Sequence, residues 1–173
     1  MKLRSIAVRH LKGIESARLD DLSDRLNLIH GPNESGKSTL VEALHLALFE
    51  RSRGEAEVKR SLRTWGGDHD PEVEVQFTDD DGVDWFVHKR FLRNADTVVD
   101  VGNLHLTGEA AEARLWSLLG TRDPGRTGWS DAAVGIWPLL WVRQGTAERS
   151  MAEALTDDAR TRLAATLDRK SVV

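Results

Sequence analysis

A chain of 173 residues with a net charge of −4 and no cysteine is long enough for one domain with a substantial core and offers neither disulfides nor thiolate metal sites. The slight negative balance gives no global basic signal for nucleic acid or anionic lipid. No apolar run approaches the length of a membrane span. The opening Met1-Lys-Leu-Arg-Ser-Ile-Ala-Val-Arg-His10 has no uninterrupted apolar stretch, so no signal peptide and a cytoplasmic setting are expected.

The first half reads as strands, then a loop and a helix. Residues 3–8 are strand-like, with Ile6 and Val8 on one face, and Lys12-Gly13-Ile14 turns into a second strand over 15–19. A short apolar strand, Leu26-Asn-Leu-Ile29, enters Gly31-Pro-Asn-Glu-Ser-Gly-Lys-Ser-Thr39. Residues 40–49 follow as a helix, with Leu40, Ala43, Leu44, Ala47 and Leu48 in one stripe. The charged, glycine-containing stretch 51–70 reads as a surface loop.

The second half begins with a hairpin. Val73, Val75 and Phe77 alternate with Glu72, Glu74 and Gln76, Asp79-Asp80-Asp81-Gly82 supplies the turn, and 83–92 is the partner strand. A further strand pair, 97–101 and 103–106, pivots on Gly102, and a helix over 109–119 stops at Gly120. A Gly/Pro-rich loop over 121–130 leads to Trp137-Pro-Leu-Leu-Trp-Val-Arg-Gln-Gly145, and 152–167 reads as a largely polar helix.

Gly31, Gly36, Lys37 and Ser38 complete the pattern G-x-x-x-x-G-K-[ST] between a strand and a helix. This is the context that gives the motif its meaning as a phosphate loop. The glycines open backbone conformations closed to other residues. The amides of 33–38 can then form an anion nest at the positive end of the following helix. Lys37 adds a mobile charge for β- and γ-phosphates, and Ser38 a hydroxyl for Mg²⁺. The bland alternative is a glycine-rich turn that caps a helix.

Other features have competing readings. Asp79, Asp80 and Asp81 could hold a cation or simply form an acidic turn. The six histidines show no metal-ligand spacing, and His45 is expected in the core or at its flank. Trp129, Trp137 and Trp141 could stack single-stranded nucleic acid or pack in a core. Arg51, Arg53, Lys59, Arg60 and Arg63 could contact DNA phosphates or belong to a solvated loop, diluted by Glu50, Glu55 and Glu57.

Three segments together resemble the chromosome-maintenance (SMC) and SbcC-type repair ATPases, particularly the AAA-type members grouped with SbcC and YhaN. They are the opening Leu3-Arg-Ser-Ile-Ala-Val-Arg-His-Leu-Lys-Gly-Ile14, the Walker A loop 31–39 with its Asn33 and Thr39, and Trp141-Val-Arg-Gln-Gly145, which is similar to their Q-loop. The resemblance implies an α/β P-loop NTPase fold. Residues 1–150 would be the N-terminal half of an ABC-type ATPase head, with a mixed sheet and an antiparallel hairpin insertion, and 151–167 the start of a coiled coil.

The resemblance also implies ATP and Mg²⁺ as ligands. Asn33, Glu34, Ser35, Gly36, Lys37, Ser38 and Thr39 would hold ATP, and Lys12, with Arg9 a weaker candidate, would approach the nucleotide. Ser38 and Gln144 would ligate Mg²⁺, and Lys37 and Gln144 would act in catalysis. A neutral amide at 144 can ligate Mg²⁺ and orient water without adding charge; its alternative is a surface glutamine beside Gly145.

The resemblance implies as partners a C-terminal half-head, a second head in an ATP sandwich, DNA, and an SbcD-like nuclease, with no membrane. An apolar strand ending in Asp-Glu and a Ser-Gly-Gly signature are not found here, so this chain alone is expected to hydrolyse ATP slowly or not at all. A transporter-type ATPase and an overcoming-lysogenization-type nuclease head are the rival readings. Asp168-Arg-Lys-Ser-Val-Val173 breaks the helical pattern and matches one reading frame of a sequencing adapter. Residues 168–173 are therefore expected to be non-native and the chain truncated.

Overall fold

The computed structural model describes residues 1–54, 59, 61–64, 67–123, 137 and 161. Strands β1 (Lys2–Leu11) and β2 (Ile14–Leu19) are followed by helix α1 (Lys37–Phe49). Then come β3 (Glu72–Thr78), β4 (Asp84–Arg90), β5 (Asp96–Val101), β6 (Leu104–Thr107) and helix α2 (Gly108–Leu119). The six strands form one sheet in the order β2-β1-β3-β4-β5-β6. Each described pairing is antiparallel.

Two-residue periodicity explains which face is buried. Val73, Val75 and Phe77 of β3 oppose Lys89, Val87 and Trp85 of β4, and all six are buried. Val99 and Val101 of β5 extend the same face, and Ile6 and Val8 of β1 close it on the other side. Ala43, Leu46, Ala47, Leu48 and Phe49 of α1, with Ala111, Leu115 and Leu119 of α2, cover this surface. Each fully buried valine or leucine contributes about 1.5–3 kcal/mol relative to exposure. The expected helix stripe is only partly correct: His45 and Leu46 are also buried, whereas Leu40 and Leu44 are half-buried. The C-terminal half of α1 is wrapped by core on more than one side.

The turns follow their sequences. Asp79 accepts bonds from Asp81 N (3.0 Å) and Val83 N (2.9 Å), and its second carboxylate oxygen accepts from Trp85 Nε1 (2.9 Å). The Trp85 bond, with that from Val83, holds the Asp79 carboxyl below its ordinary range. The acidic run is thus a turn, and among the described residues no cluster of histidine and acidic groups could hold a metal. Gly120 ends α2 in the left-handed region at φ 64°, where glycine carries no Cβ penalty.

Two expectations fail. Residues 26–29 form no strand; Leu26 and Leu28 are 83% and 81% exposed. A strand needs a neighbour with free ladder groups. β1 is flanked by β2 and β3, and among the described residues neither edge strand, β2 or β6, pairs with 26–29. Asn27 instead closes a local turn, its side chain accepting from Ser23 N (2.7 Å) and donating to Ser23 O (2.9 Å). Nor is 51–70 purely surface: Ser52, Lys59 and Leu62 are buried, and Lys12 N donates to Leu62 O (2.8 Å).

A polar cluster ties this segment to the core. Lys89 shares the inward face of β4 and is fully buried, its ammonium donating to Glu50 O (2.5 Å). Glu112 of α2 accepts from Ser52 N (2.7 Å), Ser52 Oγ (3.2 Å) and Thr97 Oγ1 (3.0 Å). Burial pushes the Lys89 ammonium down to about 8, against the pull of Glu112 and Glu50. Lys59 is likewise pushed down to about 8 by burial while donating to the carbonyls of Arg51 and Ser52.

Candidate nucleotide-binding site

The loop 31–36 and the first turn of α1 form a shallow, largely exposed cradle. Glu34 (φ 65°) and Gly36 (φ 88°) both lie in the left-handed region, and alternation of hand along a loop is what turns successive amides to one side. Ser35 N donates to Pro32 O (3.4 Å) across the turn. Gly36 is the N-cap of α1 and supplies no side-chain cap, and the first turn contains no acidic residue. Among the described residues the leading amides of α1 therefore have no carboxylate or hydroxyl cap, and the helix's positive end is left for an anion.

Glycine at position 36 has a second reason. A Cβ there would lie 2.9 Å from Ile14 Cγ1, and Ile14 is core at the start of β2. Gly36→Ala combines a clash with an unfavourable φ. It is expected to lose about 1–2 kcal/mol of stability, read by urea denaturation, and to weaken ATP binding in calorimetry. Unchanged values for both would remove the packing argument.

Lys37 folds back over the loop, donating to Gly31 O (2.9 Å) and Pro32 O. Its ammonium thus sits at the cradle, held by carbonyls that carry no charge. Asn33, Glu34, Ser35 and Ser38 are exposed, and Thr39 is half-buried. The cradle thus brings Asn33 to Thr39 together. Lys12 approaches from the β1–β2 turn at φ 50°, but its ammonium is bonded to Glu42 of α1 (2.6 Å). Glu42 was not legible as a site residue; its spacing five residues beyond Lys37 is the only signal. Arg9 is turned away, paired with Glu72 and Glu74 of β3 at 3.1 Å each.

A partly exposed pair such as Lys12–Glu42 contributes at most about 1 kcal/mol to stability, so its significance is competition for Lys12. Glu42→Gln is expected to free that lysine and tighten ATP binding several-fold by calorimetry, with an unchanged urea midpoint. No tightening would mean that Lys12 does not reach the nucleotide.

Trp137 packs its ring 5.5 Å from Phe49 and donates to Leu119 O (2.9 Å), a core-facing role. Trp129, Trp141, Gln144 and the Q-loop-like stretch lie outside the described residues, as do the expected coiled-coil start, apart from Thr161, and the 168–173 tail.

The family model of the AAA_23 AAA domain matches residues 5–122, from β1 through the loop 31–36 to the end of α2 and slightly beyond. The chain belongs to this family. The AAA domain is 46% identical over 52 residues to the DNA replication and repair protein RecF of Protochlamydia amoebophila, covering 30% of this chain and 14% of that protein. It is 29% identical over 123 residues to the uncharacterized protein Rv1278 of Mycobacterium tuberculosis, covering 69% of this chain and 14% of that protein. The matched region therefore spans about a seventh of these relatives' length. A solved structure from work on ATP-driven dimerization and DNA-stimulated activation of SMC ATPases superimposes with a TM-score of 0.54 at 15% identity, covering 96% of this chain and 99% of that chain. The AAA domain shares the α/β P-loop NTPase fold of that SMC ATPase head structure. Among the described residues no helix is long and apolar enough to cross a membrane.

Proposed function

We propose that the chain is the ATP-binding N-terminal part of an SbcC- or YhaN-like ATPase head, in a parent that couples ATP binding and hydrolysis to head engagement and DNA processing. The observation that carries this reading is the acid-free, uncapped start of α1 behind Gly36, with the Lys37 ammonium already at the loop. The residues fit a triphosphate: the amides of Asn33 to Thr39 would hold the phosphate chain, Lys37 would contact its β- and γ-groups, and Ser38 would ligate Mg²⁺. Bound ATP would supply the γ-phosphoryl group whose presence is sensed. Gln144 would complete the Mg²⁺ shell from the region beyond α2.

In this reading residues 1–150 are half a head and 151–167 begin a coiled coil. The other half-head and a second copy complete the catalytic machinery, with DNA and an SbcD-like nuclease as partners in the cytoplasm. The chain alone is expected to bind MgATP at one site and to turn it over very little, since it offers no Asp-Glu pair for general-base work. Calorimetry tests the binding: no heat at millimolar MgATP would sink the reading. The role of Gln144 is tested in a head reassembled with its C-terminal half. Gln144→Ala is expected to weaken dimerisation driven by a non-hydrolysable ATP analogue, read by light scattering, more than it weakens ADP binding, because ADP lacks the sensed group. Wild-type dimerisation by the variant would return Gln144 to a surface role.

A further inference from the structure

A second concentration of positive charge lies beyond the opposite end of α1. The helix has 13 residues, which separates its ends by about 20 Å. Past its C-terminus a cavity of about 480 Å³ is lined by Arg53, Lys59, Arg63 and Arg93, together with Leu92 and small residues. Its described lining contains no acidic side chain. The volume falls within the roughly 300–1,000 Å³ of small-molecule sites, enough for one phosphorylated unit. We propose that this cavity is an anion site distinct from the phosphate loop, taking a phosphate group carried either by a small metabolite or by a nucleic-acid strand.

Two of the cations are held within the fold, Lys59 buried and Arg63 half-buried, while Arg53 and Arg93 are exposed at the cavity's rim. Leu62, next to Arg63, is buried in the core, and Arg63 itself bridges to Leu11 of β1. Lys59 is buried against the carbonyls of Arg51 and Ser52, with its ammonium 5.6 Å from the Phe91 ring centroid. Arg53 Nε donates to Ala95 O (3.3 Å). Arg93 is presented by a short turn that begins at Leu92, whose φ of 74° is a conformation side chains rarely adopt; such strain persists where surrounding structure enforces it and gathers at functional sites.

Among the described residues, neutralisation of this charge is incomplete. Arg63 Nε is buried with no hydrogen-bond acceptor among the described residues, and Arg63 Nη1 is 4.0 Å from Asp68. Asp68 also pairs with Arg93 (2.7 Å) and accepts from it through its main-chain oxygen, but its side chain is 83% exposed, so the carboxylate can swing off both arginines and leave them to an incoming anion. Asp70 remains with Arg93 (3.7 Å) and with Asn94 (3.0 Å). Arginine forks match the oxygens of phosphate in pairs, and the lysine adds a point charge. A dianion would favour the protonated form of Lys59, whose ammonium burial has pushed down to about 8 against the pull of Glu50 and Glu112.

The test uses the 173-residue chain carrying Lys37→Ala, which weakens the phosphate loop. Inorganic phosphate is titrated by calorimetry, and the Lys59 ammonium is followed by NMR across pH. Phosphate is expected to bind, to raise the Lys59 titration midpoint, and to bind about tenfold or more weakly after an added Arg53→Gln, the scale of a charge-assisted contact. Arg53 is exposed, so an unchanged urea midpoint certifies that this variant folds. Glycerol phosphate and a single-stranded oligothymidylate then separate the sources: whichever binds more tightly than inorganic phosphate, and loses that advantage with Arg53→Gln, identifies the carrier. Failure of phosphate to bind, an affinity indifferent to Arg53→Gln, or a static Lys59 midpoint overturns the proposal.

Discussion

Lys37→Ala is expected to remove most of the chain's affinity for ATP. The Lys37 ammonium is the cation already seated at the cradle, donating to Gly31 O and Pro32 O. Those carbonyls are exchangeable partners; a triphosphate offers charged oxygens in the same place. Charge-assisted contacts of this type contribute about 1.5–3 kcal/mol, so calorimetry should record a loss of about tenfold to a hundredfold or more. The side chain is only half-buried, and the urea midpoint should stay where it is. Equal ATP affinity for the two chains would overturn the assignment of the loop.

The largest expected loss of stability belongs to Glu112→Ala. The carboxylate accepts three bonds, from Ser52 N, Ser52 Oγ and Thr97 Oγ1, and is the acidic side chain with the largest favourable effect on the fully buried Lys89 ammonium. Deleting one member of a buried charged set leaves the others uncompensated, which costs about 3–5 kcal/mol. Urea denaturation measures this, and a loss under about 1 kcal/mol would contradict the burial described for Lys89. The same cluster predicts a pH dependence. Lys59 and Lys89 release their protons near 8 in the folded chain against an ordinary value of 10.5. Between those values the unfolded chain holds more protons, so the two lysines' contribution to stability rises with pH across that window and is constant below it. Lys89→Met should reduce the slope.

Much of the antiparallel part was legible because alternation and turn chemistry agree there. Val73, Val75 and Phe77, the Asp79–Gly82 turn, the Gly102 pivot and the Gly120 stop all report local physics. Lys89 was legible in principle, since it shares parity with Trp85 and Val87. Its acidic neighbour on α2, sixty residues from the Ser52 that Glu112 also binds, was not. Residues 26–29 show the opposite failure. Their composition is that of a strand, but strand formation is a property of a pair, and the described sheet has no place beside β1 for another member. At the site, Gly36 and Lys37 are fixed by the motif, whereas Glu42 as the counter-ion of Lys12 depends on how a turn meets a helix, which spacing alone does not encode.

The exposed stretch of residues 26–30 has a thermodynamic consequence for the loop it enters. Among the described residues, the cradle is anchored to the core through α1 and the close approach of Gly36 to Ile14, while 26–30 are exposed. Holding a ligand there requires ordering the other side as well, and that conformational entropy is subtracted from the affinity. A surface that pairs with residues 26–30 would meet this requirement in advance and tighten nucleotide binding without touching the nucleotide. Linkage makes the effect mutual: nucleotide would strengthen that pairing by the same factor.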